Sequence, residues 1–151
     1  MVAIREATPG DWRAWRAIRL RSLTEAPEAF ASSVREWTVE NDREDRWVER
    51  MEHADVCLLA EVDGSVVGLV ALDPEPGGCQ LVSMFVAAEA RRLGVGRALV
   101  ADVVAAANGR PLRLRVMASN TDGVAFYESV GFVLEPGPPD LDGCLTMRHR
   151  G

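Results

Sequence analysis

The sequence contains no lysine; all 17 of its basic residues are arginine. That absence excludes chemistry that needs a lysine of the chain itself: a Schiff base, a pyridoxal phosphate anchor, or a phosphate loop of the GxxxxGK[ST] kind. The same usage, beside abundant Ala, Val and Gly, is what a GC-rich genome produces. Histidine is nearly missing, with only His53 and His149, and three cysteines, Cys57, Cys79 and Cys144, stand far apart. Neither type shows a CxxC or HxxxH spacing, so no metal site is expected. Nothing near the cysteines predicts a depressed thiol pKa, and they read as small buried apolar residues. Long apolar runs are also lacking. The opening MVAIREAT meets Arg5 and Glu6 immediately, which leaves no signal-peptide core, and no run approaches the ~20 residues that span a membrane. No membrane partner is expected, and a reduced, cytoplasmic setting is the default. Finally there is no basic excess: 17 basic against 23 acidic residues give a formal charge of −6. A nucleic-acid partner is therefore not expected.

What is present fits one folded domain over residues 1–151, with 48% hydrophobic and 26% charged residues. Val2 to Glu6 reads as a first strand. Thr8 then resembles an N-cap, with Pro9 at the first helical position and Asp11 three residues after the cap. Trp12, Trp15, Ile18 and Leu23 give the following helix an apolar side. A second helix is expected from about Thr38 to His53, polar except for Trp47, Val48 and Met51. Val56 to Val62, Asp63-Gly64 and Ser65 to Leu72 read as a β-hairpin, because Asp-Gly between apolar runs suits the tight turn. Asp73 to Gly78 and Glu135 to Pro139 are expected to be loops, with Gln80 to Val86 a strand between them. Val95, Ala98, Leu99, Val103 and Ala106 recur as one side of a helix that Asn108-Gly109 ends. Pro111 to Met117 is a strand, Thr121 to Ser129 a short helix, and Phe132 to Leu134 and Leu145 to His149 close the chain as strands. The order β-α-α-β-β-β-α-β-α-β-β places the fold in the α/β (α+β) class, a mixed sheet flanked by helices.

The most informative stretch is Arg91-Arg92-Leu93-Gly94-Val95-Gly96-Arg97, between a strand and a helix. A helix N-terminus offers unpaired N–H groups and partial positive charge, and glycines let a phosphate approach the backbone. Three arginines in seven residues, in a chain of charge −6, point to a pyrophosphate site. A tight turn among solvated arginines is the alternative. The Rossmann pattern is not met: Leu99 stands where its third Gly or Ala belongs, and about twenty residues after Gly94 come Arg113 and Arg115 rather than an acidic residue.

Two separate motifs carry a resemblance. Arg91-x-x-Gly94-x-Gly96 after Met84-Phe85-Val86 resembles the acyl-CoA signature R/Q-x-x-G-x-G/A of the GNAT family of acyl-CoA-dependent N-acyltransferases. Val116-Met117-Ala118-Ser119-Asn120 and Ala125-Phe126-Tyr127-Glu128-Ser129-Val130-Gly131-Phe132 resemble that family's second signature. The element order is similar over essentially the whole chain, which implies a GNAT-like domain with a central mixed, mostly antiparallel sheet. The resemblance implies acetyl-CoA, or coenzyme A, as cosubstrate, no metal, and an amine-bearing acceptor: a small molecule, peptide or protein.

By that resemblance, the backbone of Phe85 and Val86 would lie along the pantetheine arm. The N–H groups around Arg91, Arg92, Leu93, Gly94, Val95, Gly96 and Arg97 would hold the pyrophosphate. Asn120 would hydrogen-bond the pantetheine or acyl arm, although it also reads as a helix N-cap. Tyr127, the single tyrosine, would protonate the departing thiolate, although it also reads as a core aromatic. Where many members carry a glutamate early in the central strand, this chain has Gln80, which accepts no proton at neutral pH. Glu36 is the candidate base in its place, against a plain surface role. Glu36, Glu40, Asp42, Glu44 and Asp45 suit a cationic acceptor or, equally, a solvated helix face. A catalytically silent acyl-CoA-binding domain is the competing reading, and monomer and homodimer both remain open.

Overall fold

The computed structural model describes residues 1–27 and 40–151. Its strands are β1 (Val2–Ala7), β2 (Val56–Val62), β3 (Ser65–Glu75), β4 (Gly78–Val86), β5 (Leu112–Met117), β6 (Phe132–Leu134) and β7 (Cys144–His149). Its helices are α1 (Trp12–Glu25), α2 (Glu44–His53), α3 (Val95–Ala107) and α4 (Thr121–Ser129), with single 3₁₀ turns at Pro9–Asp11 and Ala88–Ala90. Among the described residues the expected element order is the order found. The strands form one sheet, β1-β2-β3-β4-β5-β7-β6, in which only β4 and β5 run parallel.

Local chemistry accounts for most boundaries. The Asp11 carboxylate accepts the Thr8 N–H at 2.9 Å, which closes the turn that starts α1. Asp63 and Gly64 both take positive φ, 51° and 82°, the conformation a two-residue type I′ hairpin demands. Asn108 ends α3 in the left-handed region, as its pairing with Gly109 suggests.

Two expectations need correction. Asp73 to Gly78 is not a loop: β3 continues to Glu75, β4 starts at Gly78, and a Pro76-Gly77 turn joins them. Proline is tolerated at position 74 because β2 ends opposite Leu72, so that edge of β3 has no ladder to donate to. The second helix begins at Glu44 rather than near Thr38. Residues 38 and 39 lie outside the described residues, and Arg43 is extended, at φ −135° and ψ 151°. A tertiary contact holds the preceding residue instead. The Asp42 carboxylate accepts from both Nε and an Nη of Arg16, at 2.6 and 2.5 Å, and from the indole Nε1 of Trp47 at 2.8 Å.

The core lies on both faces of the sheet. Six consecutive β3 residues, Val67 to Leu72, are buried, which requires cover on each side. Helix α3 supplies one side, with Val95, Leu99, Val100, Val103 and Ala107 buried. A Cβ on Gly68 would stand 3.3 Å from both Leu99 and Val95, so α3 sits close on the strand. Val100 and Ala107 take the buried places expected for Ala98 and Ala106, a small rotation of the apolar stripe. Trp15, Ile18 and Leu23 of α1 and Trp47 and Met51 of α2 are buried as the second cover. Replacing the fully buried Leu99 by Ala would leave a cavity in this packing, at a cost of about 2–5 kcal/mol in urea unfolding.

The Asp42 contact has a measurable consequence. The Arg16 guanidinium, and next the Trp47 indole, hold the Asp42 carboxyl down to about 2. A depressed carboxylate stabilises the fold above its unfolded pKa of about 4, and that contribution is lost as pH falls toward 2. With part of the pair in contact with water, it contributes about 1–2 kcal/mol. Asp42→Asn is expected to lose that stability at pH 7 and to unfold with a flatter pH dependence between about pH 4 and 2. Urea unfolding across that interval checks it, and parallel curves for the two proteins would refute the assignment.

Candidate functional site

The site arises where two parallel neighbours part. β4 pairs with β5 only through Cys79, Gln80 and Leu81. Beyond them β4 carries a bulge: Ala71 of β3 faces Val82 and Leu69 faces Phe85, so Val70 stands against Ser83 and Met84 together. Ser83 takes φ +61° to make that bend. The strands diverge from there, and a cleft of about 800 Å³ occupies the gap.

The divergence leaves one edge of β4 without a ladder partner. The Ala87 N–H donates to Val67 of β3 at 2.7 Å. Alternation along the strand then directs the backbone of Phe85 to β3 as well, and that of Met84 and Val86 to the open side. Of the two residues expected along a bound arm, Val86 therefore has the N–H on the open side, while Phe85 contributes a largely buried side chain. The Val86 carbonyl accepts from Arg91 Nε at 3.2 Å, which ties the following loop to the strand.

That loop turns through two left-handed residues, Arg92 at φ 70° and Gly94 at φ 81°, before α3 begins. Backbone of this kind turns successive N–H groups toward a common concavity. In α3 the Ala98 N–H is the one that reaches back to Gly94, so Val95, Gly96 and Arg97 have N–H groups with no acceptor inside the helix. Arg91, Arg92, Gly94, Val95, Gly96 and Arg97 all line the cleft. Leu93 does not; its side chain is 53% exposed beside it. Val95 is buried in the core and offers the cleft only its backbone. The two glycines serve different needs. Gly94 supplies the positive φ, with nothing near a would-be Cβ, whereas a Cβ on Gly96 would come within 3.1 Å of the Phe126 ring.

Charge is distributed unevenly. Among the described residues Arg5, Arg16, Arg21, Arg50, Arg110 and Arg115 each hold a carboxylate. Arg91, Arg92 and Arg97 hold none; Arg97 only reaches the Ser129 hydroxyl at 3.4 Å. The cleft thus collects unneutralised positive charge in an acidic chain.

The opposite wall is the start of α4. Asn120 is its N-cap: Oδ1 accepts the Gly123 N–H at 2.9 Å. Tyr127 lines the cleft two turns on, edge-to-face with Phe126 and Phe132 at centroid distances of 5.4 and 5.8 Å. Its hydroxyl has no hydrogen-bond partner among the described residues, and burial pushes the phenol well above its ordinary range. Desolvation disfavours the phenolate, so the group stays a proton donor. The structural readings of Asn120 and Tyr127, helix N-cap and packed aromatic, both hold, and both residues line the cleft.

Other expectations fall elsewhere. Gln80 lies in the paired part of β4, opposite Arg113, away from the cleft lining. Glu36 lies outside the described residues. Asp42 is committed to Arg16 and Trp47, and Asp45 stands 3.3 Å from Arg43, so the acidic cluster is not wholly free for a ligand. Among the described residues no three metal-ligating side chains gather, and no helix is long and apolar enough to cross a membrane. Met84, Ser119, Asp122, Gly123, Phe126 and the end of α1 at Glu25 and Ala26 also line the cleft. None of these was singled out from the sequence, although Met84, Ser119 and Phe126 stand within the two motifs.

Gly94→Ala is expected to destabilise the fold by about 1–2 kcal/mol, because an L side chain is strained at that φ even with free space around it. Urea unfolding without ligand measures this, and an unchanged midpoint would contradict the left-handed turn.

Comparison with known proteins gives the same direction. A search of curated proteins finds the 5-NmdU N-acetyltransferase of Pseudomonas phage PaMx11, 24% identical over 136 residues and covering 89% of each chain. Among solved structures, PaiA N-acetyltransferase of Thermoplasma acidophilum in complex with coenzyme A superposes with a TM-score of 0.78 at 17% identity, covering 100% of this chain and 99% of that one. The ribosomal-protein-S18-alanine N-acetyltransferase of Escherichia coli follows the same fold, with a TM-score of 0.70 at 22% identity over 99% and 93% of the two chains. The model of the acetyltransferase (GNAT) family matches residues 14–132, and this chain belongs to that family.

Proposed function

We propose that this protein transfers the acetyl group of acetyl-CoA to a primary amine, within a complex of both substrates. The observation that carries the reading is a run of backbone N–H groups without acceptors: that of Val86 on the open β4 edge, those of the left-handed loop at Arg92 and Gly94, and those that begin α3. An extended amide-bearing arm fits the first as an added strand, and a pyrophosphate fits the rest. Arg91, Arg92 and Arg97 supply the counter-charge.

The amine nitrogen attacks the thioester carbonyl carbon, the C–S bond breaks, and the sulfur takes a proton. Tyr127 is the donor in this reading. Between a thiol of pKa about 8.5 and a phenol of about 10, full transfer is uphill by about 2 kcal/mol, and burial of Tyr127 makes it steeper. The hydroxyl therefore hydrogen-bonds the sulfur as charge develops and passes its proton over only as the C–S bond breaks. Solvent reprotonates the phenolate, and the attacking nitrogen loses its proton to the base or to water. The amine must arrive neutral. A lysine-like amine at pH 7 costs about 4.6 kcal/mol to deprotonate, an α-amine about 1 kcal/mol. Glu36 stands as the base for the more basic acceptors. The relatives above are named for N-acetylation of 5-NmdU and of a ribosomal-protein-S18 alanine, which supports an amine acceptor as a class and leaves its identity to an amine panel.

Thermal unfolding tests the cofactor. Acetyl-CoA or CoA at about 100 times its dissociation constant adds about 2.7 kcal/mol, a midpoint rise of roughly 5–10 °C, with no rise from NADH. No shift with either CoA species at millimolar concentration would end the enzyme reading. For the chemistry, Tyr127→Phe is expected to lower kcat by about 10²-fold while leaving acetyl-CoA affinity within about twofold. The wild-type kcat profile should show no alkaline fall from this group up to about pH 10, since the neutral phenol is favoured. Unchanged turnover in the variant, with chemistry rate-limiting, would remove Tyr127 from the mechanism.

A further inference from the structure

We infer that Gly123 is a positioning residue for Asn120: its missing Cβ lets the Asn120 amide lie on the first turn of α4 with Nδ2–H left as a donor to a carbonyl of the acyl-CoA arm. The inference rests on the cofactor reading above. Asn120 Oδ1 accepts from the Gly123 N–H, and this bond decides which end of the amide is oxygen. Nδ2 then carries two N–H groups that meet no acceptor among the described residues, on a residue that lines the cleft.

Gly123 makes this placement possible. A Cβ there would stand 2.5 Å from Asn120 Nδ2, 2.8 Å from Cγ and 3.0 Å from Oδ1. The overlap is with the end of a short rotatable side chain, so Asn120 relieves it by swinging off the helix, and the backbone stays where it is. Glycine at the third position of α4 is otherwise a poor choice, since alanine favours a helix and a glutamate there would complete a capping box. Helix stability alone therefore gives no reason for Gly123, whereas the Asn120 amide does.

Calorimetric titration with acetyl-CoA, beside the unfolding midpoint of each free protein, tests the inference on four proteins: wild type, Gly123→Ala, Asn120→Ser and the double variant. Serine can still cap the helix but has no Nδ2. Gly123→Ala should weaken acetyl-CoA binding about fivefold, the weight of one neutral hydrogen bond, while its midpoint stays near wild type because the helix gain offsets the lost cap. Asn120→Ser should weaken binding by a similar factor. The double variant should bind no more weakly than Asn120→Ser, as expected when both changes remove one interaction. Wild-type affinity in Gly123→Ala, additive losses in the double variant, or a binding loss that only follows a fallen midpoint would each overturn the inference. Absence of CoA binding by the wild type would instead remove the cofactor reading, and this inference with it.

Discussion

The structure depends on the parting of β4 and β5. Two parallel strands that share only three paired positions hold the sheet together at one end alone, and beyond them the edge of β4 that β5 leaves has no ladder partner. The bulge at Ser83 creates that edge, and the diverging backbone provides room for the cleft. An unpaired edge in the middle of a sheet is costly unless water or a ligand fills it. Here the edge leads straight into the Arg92–Gly94 turn, so one chain segment carries an unpaired strand edge at one end and the free N–H groups of a helix start at the other. The fold around it, with α3 packed tightly on β3 and Trp15 and Trp47 buried within the second cover, keeps this gap from collapsing.

Electrostatics follow from the same geometry. Most described arginines are neutralised by nearby carboxylates, some across long sequence distances, such as Arg110 with Asp55 and Arg16 with Asp42. Arg21 ties the end of α1 to Glu89, just before the Arg91–Arg97 loop, through two parallel hydrogen bonds. These pairs leave Arg91, Arg92 and Arg97, which line one cleft of a net-negative chain, without a carboxylate among the described residues. Exposed pairs contribute little to stability individually. Their effect here is to decide where positive charge is left unneutralised.

Asn120 and Tyr127 show why a structural role leaves room for the proposed functional one. An amide has both an acceptor and two donors, so Asn120 can cap α4 with one end and still present the other to the cleft. Tyr127 is packed as a core aromatic by Phe126 and Phe132, and the same packing desolvates its hydroxyl and holds it neutral. In the sequence each pair of readings looked like a choice, because spacing reports which helix a residue occupies but not which of its atoms are used.

By itself the sequence determined the element order, the Asp63-Gly64 hairpin, the glycine turn before α3 and the stretch of arginines around it, since each rests on short-range backbone and charge chemistry. It also carried the two motifs that led to the family. Tertiary structure decided the rest. Helix α2 starts at Glu44 because Asp42 is held by Arg16, 26 residues away. Asp73 to Gly78 became a hairpin because β4 was there to pair with it. Gly96 proved to be a matter of room for Phe126, and Leu93 turned away from the cleft its neighbours line. Local propensity sees only a few residues along the chain, while these outcomes depend on which distant groups packing brings within contact distance.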